Sequence, residues 1–287
     1  MSRIAYVNGR YVPHRDAAVH IEDRGYQFAD GVYEVIAVQG GRLVDEEAHL
    51  RRLERSLSEL KIKRAMAPKT LGCVMREVLR KNRIRDGSIY IQMTRGVAPR
   101  DHAFPAKSET SVVMTARRMR AQPARAIEAG VRVITLPDNR WSRCDIKSVS
   151  LLPNVLAKQR AREAGAYEAW FVDSAGKVTE GSSTNAWIVT AEGKLVTRSA
   201  SHAILNGITR QSAIRLAKEN GLALEERLFS VSEAKAAREA FITSTTSEVL
   251  PVTEIDGSVI GKGKAGSFSR KLRKIYLAYA EGTGASG

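Results

Sequence analysis

Lys147 stands in "RCDIKSVSLLPNVLAKQ", directly after Ile146 and just before a short apolar run. Two roles suit a lysine in such surroundings. It can thread its methylenes along a half-buried strand and keep its ammonium in water. Alternatively, desolvation lowers its pKa, and the resulting neutral amine can attack a carbonyl and carry a proton. The remaining polar clusters must decide between them.

In "LNGITRQS", Asn206 and Gly207 precede a helical pattern, which places the amides of Ile208 and Thr209 at a helix N-terminus, where N–H groups and the dipole favour a phosphate. "AFITSTTSEVL" ends a strand on Ser244, Thr245 and Thr246, whose hydroxyls either complete an anion cradle or cap their own loop. His49, Arg52 and Ser56 share a helix flank beside a leucine stripe. Arg52 there either follows the edge of a cleft or is solvated. Glu180, in "VTEGSSTN", suits a proton on a heteroaromatic nitrogen or simply a solvated turn. Arg100 and His102, in the Pro-flanked "RGVAPRDHAFP", are spaced to bind one carboxylate.

Other chemistries lack anchors. No serine lies in a nucleophile elbow, and no Cys, His or acidic pair has metal-ligand spacing. "GKGKAG", Gly261 to Gly266, has dinucleotide-loop spacing, but the chain after it is too short for the second strand and ribose ligand of that fingerprint; it reads as a turn. A lysine in an apolar setting, a phosphate cradle, a lone carboxylate and a carboxylate-binding loop are together the parts that a pyridoxal phosphate enzyme needs.

The elements that must position these residues form an α+β (mixed α/β) chain of 287 residues, long enough for two domains. "IAYVNGRYV" is a hairpin signal around Asn8 and Gly9. A strand at "GVYEVIAVQGGRLV" leads to a helix in which Leu50, Leu53, Leu57 and Leu60 recur behind acidic residues. A second helix at "TLGCVMREVLRKN" and strands at "SIYIQMTRG" and "SVVMTARR" complete a domain over residues 1–119. Residues 120–125 read as a linker, and 126–287 as a second domain. That domain carries strands at "VRVITL", "EAWFVD", "NAWIVT", "KLVT", "AFITST" and "EVLPVTEI". Its helices are "PNVLAKQRAREAG", "ITRQSAIRLAKENG", "SVSEAKAARE", with capping-box spacing at Ser230 and Glu233, and "SFSRKLRKIYLAYAEG" before a loose tail. The charge of +15 is scattered and no nucleic-acid motif accompanies it, so a basic surface is favoured over a nucleic-acid-binding protein. Two cysteines and the lack of a membrane-length apolar run or leader point to a soluble cytoplasmic protein.

The segments "FADGVYEV", "AHLRRL", "TRGVAPRDHAFP", "DIKSVSLLPNVLAKQ", "TEGSSTN", "LNGITR" and "TSTTSE", in this order, make the chain resemble fold-type IV pyridoxal phosphate enzymes, most closely the D-amino acid aminotransferases. The resemblance spans nearly the whole chain. It implies two domains, each a sheet or barrel-like sheet flanked by helices, with pyridoxal 5'-phosphate between them. Lys147 would form the Schiff base and transfer the proton, and Glu180 would pair with the pyridine nitrogen. Arg52, chosen over Arg51 because it precedes the leucine of a His-x-x-Arg-Leu pattern, would hold the phosphate with Ile208, Thr209, Ser244 and Thr245. Tyr33, with Arg100 and His102 from the neighbouring subunit of a homodimer, would trap the substrate carboxylate and select the D enantiomer. The implied reaction is ping-pong: D-alanine and 2-oxoglutarate give pyruvate and D-glutamate. Branched-chain L-amino acid aminotransferases and aminodeoxychorismate lyases of the same fold are the alternatives.

Overall fold

A computed structural model describes residues 3–119 and 123–282, and the chain divides into two units, Met1–Arg120 with Ile146–Ser150, and Ala121–Asp145 with Leu151–Gly287. Of the linker expected at 120–125, residues 120–122 lie outside the described residues, as does the tail at 283–287. Ala124 and Arg125 are already helical, because Pro123 at the N-cap needs no N–H partner there.

The first unit holds β1 (Ile4–Val7), β2 (Arg10–Pro13), α1 (Arg24–Phe28), β3 (Gly31–Gln39), β4 (Arg42–Leu43), α2 (Glu46–Glu59), α3 (Pro68–Asn82), β5 (Gly87–Thr94) and β6 (Ser111–Arg118). Asn8 and Gly9 both adopt positive φ, 44° and 91°, the geometry a two-residue hairpin between right-twisted strands requires. The Asn8 side chain also accepts from the amide of Val112, which ties the hairpin to β6. The sheet runs β2-β1-β6-β5-β3-β4, antiparallel throughout. Side chains alternate along it. Val32, Ile36, Ile89, Ile91, Met93 and Met114 pack with Leu53 and Leu57 of α2 and Met75 and Val78 of α3. Tyr33 and Val35 stand on the opposite face, half-buried.

Ile146–Ser150 belongs to this unit although the sequence places the whole of 126–287 together. The Tyr33 amide donates to the Lys147 carbonyl at 3.0 Å, the Val149 amide donates to the Gly31 carbonyl at 3.0 Å, and Val32 bridges Ser148 antiparallel. The edge of β3 that β4 leaves uncovered at its start is thus completed by a segment from far along the chain.

The second unit contains α4 (Ala124–Ala129), β7 (Val131–Pro137), α5 (Leu152–Glu163), β8 (Glu168–Val172), β9 (Val178–Gly181), β10 (Asn185–Val189), β11 (Leu195–Thr197), α6 (Ile208–Glu219), β12 (Leu224–Glu226), α7 (Val231–Lys235), β13 (Glu239–Ser244), β14 (Glu248–Ile255), β15 (Ser258–Val259) and α8 (Ser267–Glu281). Its mixed sheet runs β12-β11-β10-β13-β14-β7-β8-β9, with β15 on β14. The parallel pairs β7/β8 and β11/β12 have α5 and α6 as their crossovers. Trp170, Ile188, Phe229, Ile242, Leu250 and Ile255 form its core.

The sequence reading misses α1, α4, β9, β12 and β15, all too short to show a period. The capping box at Ser230 is half made. Ser230 accepts from the Glu233 amide at 3.1 Å, but the Glu233 carboxylate pairs with Arg227, and α7 ends after five residues.

Candidate active-site residues

Lys147 is half-buried, flanked by the buried Ile146 and Ser148, and its Nζ lies 4.3 Å from the centre of the Tyr33 ring. Backbone pairing with β3 brings these two residues together, and the Lys147 amide donates to Ser56 Oγ on α2 at 3.3 Å. The Tyr33 ring stacks on Tyr90 at 5.7 Å. Burial, with Tyr33 alongside, pushes the Tyr90 hydroxyl up to about 12, so it stays protonated and donates to Gln92.

Arg52 is not solvated. Its Nε and Nη2 each donate at 2.8 Å to Glu34, a fully buried carboxylate on the core face of β3, which also accepts from His49 Nδ1 at 2.7 Å. Arg51 points to solvent and pairs with Glu47. Leu53 and Leu57 lead α2 into the core and carry the His49–Arg52–Ser56 flank inward with them.

Arg100 and His102 are both exposed, and both meet the ring of Phe28. The Arg100 guanidinium is 4.6 Å from its centre, and the His102 ring 5.3 Å. Phe28 opens the "FADGVYEV" segment but was given no role of its own, and Arg24, one turn before it, went unnoticed because α1 is only five residues long.

Glu180, Ile208, Thr209, Ser244 and Thr245 lie in the second unit. Glu180 is buried on β9, so it does not solvate the turn. Its carboxylate accepts from Arg140 Nη1 at 2.5 Å, Asn185 Nδ2 at 3.0 Å and the Leu205 amide at 3.1 Å. Arg140 also forks onto Asp138 at 2.9 and 2.8 Å. Burial opposes a charge on Asp138, but these bonds prevail and hold its carboxyl below the usual value. Sequence reasoning gave no role to Arg140, which follows β7, or to Asn185, which opens β10 at the end of "TEGSSTN".

Asn185 also shapes the helix N-terminus. Its Nδ2 donates to Leu205 O as well as to Glu180, and a Cβ on Gly207 would collide with its Oδ1. Gly207 is the N-cap of α6, so Ile208 and Thr209 occupy its first turn, where amides lack helical partners. Ser244 Oγ accepts from the Ser247 amide at 3.0 Å, and thus caps its own turn beside Thr245.

The donors present match pyridoxal phosphate in kind: an amine for the aldehyde, a buried carboxylate for the ring nitrogen, and helix amides with hydroxyls for the phosphate. Among the described residues no group of three or more His, Cys, Asp or Glu could hold a metal ion.

The Amino-transferase class IV family description matches residues 31–255. A D-alanine aminotransferase of Bacillus licheniformis is 44% identical over 267 residues, 93% of each chain. One of Staphylococcus haemolyticus is 40% identical over 277 residues, 96% of this chain and 97% of the relative. In structure, the branched-chain amino acid aminotransferase of Escherichia coli superposes with a TM-score of 0.92 at 25% identity, covering 100% of this chain and 97% of that one. The branched-chain amino acid aminotransferase of Thermobaculum terrenum, in its PLP-form, does so with a TM-score of 0.85 at 25% identity, over 98% and 95%. With a family match across most of its length and near-full-length relatives at 44% and 40% identity, this chain belongs to the class IV aminotransferases.

Proposed function

We propose that the protein is a pyridoxal phosphate-dependent D-amino acid aminotransferase that moves the amino group of D-alanine to 2-oxoglutarate, giving pyruvate and D-glutamate. The observation that carries the reading is Lys147 Nζ held over the Tyr33 ring, in a chain whose relatives named D-alanine aminotransferase are 44% and 40% identical over nearly all of it. Bound pyridoxal phosphate supplies the electron sink for the Cα–H bond that breaks. Lys147 takes that proton on Nζ and returns it. Glu180, ion-paired with Arg140, holds a proton on the ring nitrogen. The Ile208 and Thr209 amides, Ser244, Thr245 and Arg52 bind the phosphate. Tyr33, Arg100 and His102 bind the substrate carboxylate, the last two from the partner subunit of a homodimer, and their placement selects the D enantiomer.

Among the described residues no helix is long and apolar enough to cross a membrane, and Cys73 and Cys144 are free thiols. We place the enzyme in the cytoplasm, with small amino acids and 2-oxo acids as its partners. The structural neighbours raise a second reading, an L-selective branched-chain enzyme, and their identity of 25% favours it less than the 44% of the D-alanine aminotransferase relative favours the first.

The test is the visible absorption of cofactor-loaded protein with D-alanine alone and, separately, with L-leucine alone. A change with D-alanine only, with pyruvate formed, is the expected outcome. A change with L-leucine only would overturn the D preference. Lys147→Ala is expected to abolish multiple turnover.

A further inference from the structure

The carboxylate-binding loop has little to hold it in place by itself. Val97 bridges Asp23 antiparallel, residues 98–108 form no helix or strand, and Val97, Arg100, Asp101, His102 and Phe104 are exposed. Its position is set from within the same unit by Arg24, which is 3% exposed. Arg24 Nη1 donates to the Asp101 carbonyl at 2.5 Å and Nη2 to the His102 carbonyl at 3.4 Å, while Nε donates to Asp30 at 2.9 Å. Its guanidinium lies 4.8 Å from the centre of the Phe28 ring, the ring that Arg100 and His102 also touch.

This anchor is itself fixed. Asp23 caps α1 by accepting from the Gly25 amide, and its other oxygen accepts from Thr94 Oγ1. A Cβ on Gly25 would strike the Thr94 side chain, so α1 lies hard against the end of β5. Asp30 receives a second guanidinium, Arg95, at 2.7 and 3.0 Å, and Arg95 lies 3.6 Å from the Phe104 ring centre, farther along the same loop. One carboxylate therefore braces two arginines, and each arginine grips one part of the loop.

We propose that Arg24 and Phe28 are positioning residues for substrate recognition: they hold the backbone at Asp101 and His102 so that Arg100 and His102 are set for the substrate carboxylate before it arrives. This rests on the reading of Arg100 and His102 given above. A flexible loop must be ordered when it binds, and that entropy is subtracted from affinity; a loop already pinned avoids the loss. The planar fork of a guanidinium reaches two carbonyls and a carboxylate at once, which the point charge of lysine does not reproduce.

The experiment uses cofactor-loaded Arg24→Lys, Phe28→Leu, Arg100→Ala and the Arg24→Lys/Arg100→Ala double variant. For each, KM and kcat for D-alanine are measured, together with the dissociation constant of propionate, a carboxylate without an amino group, from its effect on the cofactor absorption. Arg24→Lys is expected to raise both KM and the propionate constant about tenfold, with kcat changed less than about threefold and the cofactor band unmoved. The double variant is expected to bind more weakly than Arg100→Ala by clearly less than the tenfold of Arg24→Lys alone, since only the placement of His102 is then left to lose. Where Arg24→Lys does not yield soluble enzyme, Phe28→Leu, which leaves the arginine's hydrogen bonds in place, carries the same expectation. If Arg100→Ala weakens propionate while Arg24→Lys and Phe28→Leu leave it within about twofold, the positioning role is wrong and the carboxylate reading stands. If Arg100→Ala itself changes nothing, the carboxylate reading falls and the positioning role falls with it.

Discussion

Glu34 faces the core side of its sheet, where a carboxylate is costly, and Arg52 and His49 make it tolerable. Burial by itself would raise its pKa, yet the charge and hydrogen bonds of Arg52, with those of His49, hold it at about 2. Because the folded value lies below the unfolded one of roughly 4.3, this pairing stabilises the fold above that pH and is lost as pH falls toward 2. His49 adds the same sign. Burial lowers its pKa against the pull of Glu34, so acid charges the unfolded chain first. Glu34→Gln is expected to cost about 3–5 kcal/mol at pH 7 and to flatten the loss of stability between about pH 5 and 2, as read by urea unfolding at several pH values. Glu180, proposed to pair with the ring nitrogen, is likewise ion-paired with a buried arginine, Arg140. Arg140→Gln removes the cation facing Glu180 and is expected to weaken cofactor retention about tenfold, measured by equilibrium dialysis of the holoenzyme.

Two helices begin at a glycine N-cap, and their surroundings give them different roles. At α8 the Glu239 carboxylate accepts from the amides of Phe268 and Ser269, each at 2.9 Å, and from Ser269 Oγ. A Cβ on Gly266 would overlap Glu239. The N-terminus that follows "GKGKAG" is therefore already filled by a protein anion, which is the physical reason this glycine spacing carries no dinucleotide site. Glu239→Ala is expected to cost about 2 kcal/mol, seen as a lowered Tm, with the holoenzyme spectrum unchanged. At α6 the neighbour is Asn185, an amide that also donates to Glu180. Gly207→Ala is expected to displace Asn185 and, on the proposed reading of Ile208, Thr209 and Glu180, to give faster cofactor loss in dialysis.

For the molecule as a whole, the 46 basic residues against 31 acidic ones leave a charge of +15, and many of the exposed arginines and lysines are matched with acids, as in Arg76–Glu46, Arg80–Glu77 and Arg215–Glu219. Exposed pairs of this kind contribute little to stability, about 0–1 kcal/mol each. Ile21 and Tyr26, each 75% exposed, with Val97 and Phe104, are large apolar side chains in the segments around the Arg100–His102 loop, where the proposed homodimer would place its partner subunit. Light scattering is expected to give twice the 31.5 kDa chain mass, and a fully active monomer would remove the two-subunit part of the proposal.

The hairpin at Asn8–Gly9, the long helices α2, α3, α5, α6 and α8, and the motifs around Lys147, Glu180, Gly207 and Ser244 were legible in the chain, because turn chemistry, helical period and residue type are local properties. What local properties do not carry is which distant groups meet. The return of Ile146–Ser150 to the edge of β3, the burial of Arg52 against Glu34, the three donors on Glu180 and the grip of Arg24 on residues 101 and 102 each join positions well separated in sequence. Each follows from sheet pairing or from the need to satisfy a buried charge, and those demands exist only once the chain has packed.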